Sequence, residues 1–431
     1  MWHNAPHQNG FSPVYNNQAV HKKSILGEVG VLVAILGFVC LTGLVLLIEY
    51  RATPELANST TKAIEASPFL GAIQSLHHWG SGMLIAGSWG GMLWCLGLGM
   101  HRVTPKAVWI CGTLFFALAM LFQLTGHLLP WDVHAVRTAV VESGIAQGAP
   151  LIGPLQANLI RGGASVGPQT LGIWFPAHVV ALTILAIVIS VVVARRLKGQ
   201  GLKKRILWNF FYILLLTTFF ALTKRPQAGP VATSADFGNY NAAPEWYIMA
   251  MHELLGFANN INPSLGFVAT MVIPGLIFAL VLFAPWIDRS TPEKPSKYGI
   301  ALSLILLIGL VGLTIAGMRG GDYANPIGPN TYTDSAPAKG GPVAKLDPAL
   351  IAQGQKLFAN SGCLNCHSLN GKGGNAGPKL DGEATRHQDL SWQIAHLNNP
   401  KSETPSSTMP AFSYLGADSL KAIAEYLETL K

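Results

Sequence analysis

The sequence predicts an all-α protein: a bundle of seven transmembrane helices, a tether, and a small soluble α-helical domain at the C-terminus. Three observations carry that prediction. Of the 431 residues, 50% are hydrophobic and only 12% charged, against a charged share of about 25% in ordinary soluble domains. Mean hydropathy is correspondingly positive, at +0.36. Seven apolar stretches lie near residues 25–49, 76–99, 107–127, 174–194, 206–223, 264–285 and 298–318, each close to the roughly 20 residues a helix needs to cross a bilayer. After residue 346 the chain turns polar and ends in an amphipathic pattern over 417–430, with Leu420, Ile423, Leu427 and Leu430 at helical spacing.

Charge placement orients the bundle. The net charge of +8 does not point to nucleic acid, because the Lys and Arg sit in short runs between apolar stretches. Lys22 and Lys23 precede the first stretch, Arg102 and Lys106 follow the second, the run from Arg195 to Arg205 follows the fourth, and Arg289, Lys294 and Lys297 follow the sixth. Seven crossings place all four clusters on one face, which is then cytoplasmic, and put residue 319 onward outside. The divisions expected are a cytoplasmic N-terminal segment (1–24), which lacks the pattern of a cleaved signal and is read as retained, a four-helix unit (25–200) and a three-helix unit (201–318). A flexible linker (319–346), rich in Gly and Pro, leads to the C-terminal domain (347–431). The outer connections 50–75, 128–173 and 224–263 are long, as loops that form a site or a docking surface usually are. No inverted repeat marks the chain as a transporter.

Cys363-Leu364-Asn365-Cys366-His367 carries the first chemistry. Cys-x-x-Cys-His attaches haem c: the thiols of Cys363 and Cys366 form thioethers to the porphyrin, and His367 becomes the proximal iron ligand. The competing reading, a redox dithiol beside a chance histidine, leaves the downstream pattern unexplained. Gly377-Pro378-Lys379-Leu380 reads as a turn over the haem, and Met409 supplies a thioether for the sixth iron position. Residues 346–431 resemble a class I cytochrome c domain. Haem of this kind is attached outside the cytoplasm, which agrees with the orientation drawn from charge. Cys40, Cys95 and Cys111 sit in or beside apolar stretches and read as inert thiols.

Two histidines carry the second. His77 and His178 begin apolar stretches at the outer face, and ionisable side chains inside lipid are functional suspects. Facing imidazoles at equal depth would hold a six-coordinate haem b; two interfacial histidines bonded to loops fit the spacing equally. Wider motifs bear on that choice: Thr42-Gly43-Leu44, Glu49-Tyr50-Arg51, Ser75 to Trp79, Gly126-His127-Leu128-Leu129-Pro130-Trp131-Asp132, Ile160 to Val166 with Thr170-Leu171, and Pro244-Glu245-Trp246-Tyr247. Together they resemble the cytochrome b of quinol–cytochrome c oxidoreductases, most closely the split form, with residues 25–200 as its haem-carrying half and 201–318 as its subunit IV-like half. The resemblance implies that His77 and His178 ligate an outer haem b. It makes Pro244, Glu245, Trp246 and Tyr247 the quinol-oxidation pocket, with Glu245 the proton acceptor. A carboxylate in an apolar pocket is expected to have a raised pKa. His252, His127 and His134 read as satisfied interfacial histidines, although His252 could assist proton exit. Also implied are lipid and quinone as partners, a separate Rieske iron–sulfur subunit, a cytochrome acceptor and a homodimeric or larger complex in a bacterial inner or photosynthetic membrane.

The pattern departs from the family at depth. A second haem would need one more histidine about four turns, roughly 20 Å, along each ligand helix. Gly91 stands there on one helix and Val192 or Val193 on the other. Met92 and Cys95 have no partner across the gap, and His101 beside Arg102 reads as interfacial. Gln74 and His78 occupy positions where the family often has arginine. The expectation is therefore a quinol-oxidising electron-transfer subunit with one haem c and one outer haem b. The alternative is a non-catalytic anchor and relay for a cytochrome c domain within a larger respiratory or photosynthetic complex.

Overall fold

The computed structural model describes residues 13–163, 166–198, 201–230, 244–261, 265–292, 294–320, 346–361, 363–365, 367–373, 377–386, 389–404, 409 and 412–431. The linker expected over 319–346 falls almost wholly outside them, as does the first half of the N-terminal segment.

Helices α1 (Pro13–Leu46), α2 (Ala57–Ala66) and α3 (Pro68–Gly97) open the chain. The Ser67 side chain accepts from the Leu70 N–H at 3.2 Å and Pro68 fills the first helical position, so α3 starts well before its apolar stretch. Helices α4 (Lys106–Gly126), α5 (Val133–Gln147) and α6 (Gly153–Arg161) follow. Next, α7 (Pro168–Pro176) passes through a π-helical turn, Ala177–Ala181, into α8 (Leu182–Leu197). His77 and His178 thus lie inside helical runs and do not open them; the polar capping residues that set the true starts are invisible to hydropathy. Helices α9 (Lys203–Thr223), α10 (Met249–Ile261), α11 (Ile273–Leu282), α12 (Ala284–Ile287) and α13 (Lys297–Gly320) complete this part.

Among the described residues, five helical segments are long and apolar enough to cross a membrane: Leu26–Leu46, Lys106–Gly126, Pro168–Arg196, Lys203–Thr223 and Lys297–Met318. The chain is an integral membrane protein. The other two expected stretches differ. Helix α3 has 30 residues, but Gln74, Ser75, His77, His78, Ser81 and Ser88 lower its hydropathy. The stretch 264–285 is broken by a π-helical turn, Val268–Val272, leaving the shorter apolar segment Val268–Leu282. The outer connections, expected as loops, are largely the helices α2, α5, α6 and α10.

The main apolar cluster joins α1, α3, α4 and α8 through Ile35, Leu36, Ile85, Phe115, Leu118 and Val193. On α9, Leu207, Phe211, Leu215 and Leu222 face outward, as a lipid-facing surface does. Directed bonds fix one part to the other at both ends. Tyr50 Oη donates to Leu129 O at 2.6 Å. Asp132 accepts from Ala135 N at 2.8 Å and from Gly229 N at 2.7 Å, and Trp79 Nε1 donates to Lys224 O at 2.7 Å. These bonds tie the strand of chain after α9 across the top of α3 and α5. At the other end Trp109 Nε1 donates to Val281 O at 2.8 Å.

His101, expected at the interface, is instead buried, with Nε2 2.9 Å from Asp288 Oδ2. Burial raises the Asp288 carboxyl, but hydrogen bonds from Ser290, Ser296 and His101 outweigh it and hold the group well below the usual carboxylate range. Because the folded value is depressed, this contribution is present at neutral pH and fades as pH falls below the unfolded carboxylate value. Asp288→Asn keeps the volume but weakens these bonds; a loss of about 2 kcal/mol and a lower thermal midpoint in detergent are expected, with the difference from wild type shrinking in acid.

The C-terminal domain has its own core. Helix α14 (Pro348–Asn360) packs on α18 (Ala417–Leu427). Between them lie a short hairpin of β1 (Ser368–Leu369) and β2 (Lys372–Gly373) and the helices α15 (Glu383–Arg386), α16 (Leu390–Asn398) and α17 (Pro400–Glu403). Leu420, Ile423 and Leu427 are buried and Leu430 packs against them, as the amphipathic pattern requires. The two helices touch at Gly354, where an added Cβ would lie 1.9 Å from the Ala422 carbonyl oxygen. Gly354→Ala must push a helix backbone aside, so the domain should lose about 2 kcal/mol, read as a lowered unfolding midpoint.

Candidate functional site

The α3 and α7–α8 runs place their histidines face to face. The ring centres of His77 and His178 are 6.3 Å apart. One metal ion bonded at about 2 Å to a nitrogen of each imidazole puts the two centres roughly 6 Å apart, so this spacing suits a shared iron. The other nitrogens are fixed by neighbouring helices. Nδ1 of His77 lies 3.0 Å from Val39 O and 3.2 Å from Thr42 Oγ1, both on α1; Nδ1 of His178 lies 2.8 Å from Thr125 Oγ1 on α4. Bonding of one ring nitrogen to a carbonyl or hydroxyl selects the other, Nε2, for a metal. Glycines let the helices come this close. A Cβ on Gly43 would lie 2.9 Å from His77 Cε1, and one on Gly126 would lie 2.8 Å from His178 Cε1. His178 sits in the π-helical turn, a distortion that often marks a functional position.

A cavity of 350 Å³ opens at this pair and continues to the outer loops, lined by His77, His178, His78, His127, His134 and Glu245 among others. Glu245 Oε1 is 3.5 Å from His134 Nε2. Burial pushes the Glu245 carboxyl up, but the His134 hydrogen bond and the charges of His134, His127 and His78 hold it below the ordinary carboxylate range. The expectation of a raised value is overturned, because the pocket is not apolar around this group. His134 is correspondingly an ion-pair partner of Glu245 and not a bystander. Pro244 is buried, Trp246 is exposed, and Tyr247 is buried with an Oη that has no hydrogen-bond partner.

His252 is buried and His127 half-buried, and each has a buried Nε2 without a hydrogen bond. They are not the satisfied interfacial groups expected. Sequence reading also missed Glu142 on α5, whose Oε1 lies 4.0 Å from His127 Nε2. Its one signal was being the sole carboxylate of an otherwise basic and apolar helix, Val133–Gln147. Further along α3 and α8 no second histidine pair stands among the described residues. Val193, Trp89, Met92 and Phe115 belong to the main apolar cluster, and no atom lies within 4 Å of the position a Gly91 Cβ would take. Gln74 Nε2 donates to Glu65 Oε1 at 3.3 Å, and Glu65 Oε1 also accepts from Ala228 N at 2.7 Å. Cys95 is buried, while Cys40 and Cys111 are half-buried; all three are free thiols.

In the C-terminal domain His367 Nδ1 is 2.7 Å from Pro378 O, so the Gly-Pro-Lys-Leu turn does reach the imidazole and leaves Nε2 for iron. A Cβ at Gly377 would strike the His367 ring at 2.6 Å. Cys363 is buried in the core of this domain, and Met409 packs at the edge of the same core with Leu380, Leu397 and Phe412. Cys366 lies outside the described residues. This donor set suits haem c, and the facing imidazoles suit haem b.

Residues 14–199 match the family model described as Cytochrome b/b6/petB, and residues 351–431 match that of Cytochrome c. The menaquinol:cytochrome c reductase cytochrome c subunit of Bacillus subtilis (strain 168) is 30% identical over 219 residues, covering 50% of this chain and 78% of that one. The chain belongs to the cytochrome b family of quinol–cytochrome c oxidoreductases. This cytochrome b carries a fused C-terminal cytochrome c domain. The cytochrome bc complex cytochrome b subunit of Chlorobaculum thiosulfatiphilum is 26% identical over 300 residues, covering 62% of this chain and 68% of that one. Among solved structures, a chain titled "Hyperthermophilic respiratory Complex III" superposes with a TM-score of 0.56 at 19% identity, covering 72% of this cytochrome b and 89% of that chain; the likeness is one of fold. Cytochrome b and cytochrome c domains imply haem b and haem c.

Gly126→Val tests the histidine pair. Its branched side chain would displace the His178 ring, so haem b absorbance should fall sharply while the haem c band persists. Pyridine haemochrome spectra of the purified protein read both at once.

Proposed function

We propose that this cytochrome b is the electron-transfer subunit of a quinol–cytochrome c oxidoreductase-like complex. It oxidises quinol at the outer face and delivers electrons through haem to an acceptor outside the membrane. The observation that carries the reading is the single cavity lined both by the His77–His178 pair and by Glu245 with His134. Oxidising a quinol releases two protons and two electrons, so a site for it needs bases beside a one-electron acceptor. Haem b on His77 and His178, and haem c on Cys363, Cys366, His367 and Met409, supply one-electron chemistry when bound.

The chain's own residues do the rest. The ionised Glu245 is ready at neutral pH to accept a hydrogen bond from a quinol hydroxyl, and His134 beside it shares the proton that follows. Pro244, Trp246 and Tyr247 flank Glu245, the member of the motif that lines the cavity. Apolar lining from Leu36, Val39, Leu84 and Phe122 suits a quinone ring and keeps bulk water away. Seven crossings with a cytoplasmic N-terminus place this cavity and the cytochrome c domain on the same, periplasmic side. The chain holds no Rieske-type ligand set in its sequence, so a separate iron–sulfur subunit takes one electron, and a cytochrome receives the outward flow. The complex resides in a bacterial inner or photosynthetic membrane, as a homodimer or larger assembly. Menaquinol, named for the Bacillus subtilis relative, is the quinol to try first.

The inner haem is absent in this reading, because Gly91 on α3 and Val192 or Val193 on α8 stand where its histidine ligands would be. The second electron of each quinol therefore leaves the outer haem by a partner subunit, or bifurcation does not occur.

Two measurements test the reading. Glu245→Gln in the intact complex should lower quinol oxidation roughly 100-fold with haem content unchanged; unaltered turnover would remove Glu245 from the chemistry. Haem quantification should give one haem b per haem c. A ratio of two would overturn the lost inner site, and no haem b at all would favour a non-catalytic anchor.

A further inference from the structure

Quinol oxidation releases two protons, and one carboxylate accounts for one of them. The helix α5 brings a second carboxyl, Glu142, to the same place. Its side chain keeps only 11% of its exposure, and its Oε2 is buried with no hydrogen-bond partner, as is the Tyr247 Oη. Its Oε1 faces Nε2 of His127 at 4.0 Å. His127 Nδ1 lies 3.1 Å from the Gln123 carbonyl oxygen. A carbonyl only accepts, so Nδ1 carries the proton and Nε2 presents a bare lone pair toward Glu142. The arrangement is a carboxyl facing an imidazole acceptor, with His127 on the wall of the cavity that also holds Glu245.

Charge links the two carboxyls. Burial, and then the charge of Glu245, raise the Glu142 carboxyl to about 8, so it holds a proton at neutral pH while Glu245 is ionised. Burial lowers His127 to about 4, so its imidazole is neutral at rest. The groups that act on these two come from three elements: Glu245 and Tyr247 ahead of α10, Asp132 and His134 at the start of α5, and His127 at the end of α4. Two like charges in one desolvated site disfavour each other, so the pair titrates as a unit.

We propose that Glu142 and His127 form a second proton-handling pair for quinol oxidation, coupled to Glu245 so that a proton captured at one carboxyl expels a proton from the other. The inference rests on quinol oxidation at this cavity. The step balances without a co-reactant. A quinol O–H bond breaks and its proton goes to a Glu245 oxygen, which neutralises that charge. The Glu142 O–H bond then breaks and its proton passes to Nε2 of His127, and onward to the outer surface. One proton is thus expelled for each one captured at Glu245, and the emptied Glu142 is left ready to take the next.

Infrared titration and turnover of the intact complex test this together. Resting, quinol-free wild type should show a protonated-carboxyl stretch at neutral pH that is missing in Glu142→Gln. In Glu245→Gln the same band should titrate at lower pH, because the charge that raises Glu142 has gone. Quinol oxidation should fall about tenfold in Glu142→Gln, with haem b reduced normally by dithionite, which shows an intact fold. A band that does not move in Glu245→Gln, no such band, or full turnover in Glu142→Gln overturns the relay and leaves quinol oxidation standing. Wild-type complex that oxidises no quinol overturns the underlying reading and this one with it, whatever the infrared spectrum shows.

Discussion

Lipid offers no hydrogen bonds, so every polar atom inside the bundle must find its partner within the protein. The His77–His178 pair shows what that constraint builds. Each imidazole is anchored through Nδ1 by a different helix, α1 for one and α4 for the other. Four helical runs therefore meet around one gap, and each must hold its register for the rings to face. Gly43 and Gly126 sit where any side chain would collide with a ring. The surrounding apolar cluster is the same contact between α1, α3, α4 and α8 viewed from its greasy side. Packing and site geometry are a single requirement here.

The outer loops extend this logic. Asp132 caps α5 and also holds Gly229, Asn58 Nδ2 donates to Gly229 O at 3.2 Å, and Glu65 holds Ala228. These contacts draw the segment that leads toward Pro244 against the haem-carrying half. Glu245 reaches His134 because α5 and that segment are bound to each other. The cavity is therefore built by residues from several parts of the chain, from Leu36 to Glu245.

Much of this was legible in residues that act through local spacing. Cys363, Cys366 and His367 are adjacent, Pro244 to Tyr247 form one word, and His77 and His178 stand out as imidazoles in apolar runs. What escaped depended on tertiary approach. The starts of α3 and α7 are set by Ser67, Pro68 and Pro168, which hydropathy ignores. The direction of the Glu245 shift follows from His134, a residue far away in the chain, and burial alone pointed the wrong way. Glu142 belongs to no motif, and its meaning comes only from the end of α4 lying across α5.

The same electrostatics explain why the cavity tolerates so many ionisable groups. Glu245, held ionised, stands 3.5 Å from His134 at the wetter end, where the Glu245 side chain retains 33% of its exposure. Glu142 and His127 lie deeper, at 11% and 9%, and desolvation there makes an ion pair costly. A neutral carboxyl facing a neutral imidazole is the state that burial favours. Depth thus sorts two chemically identical pairs into opposite protonation states, one ready to accept and one ready to give.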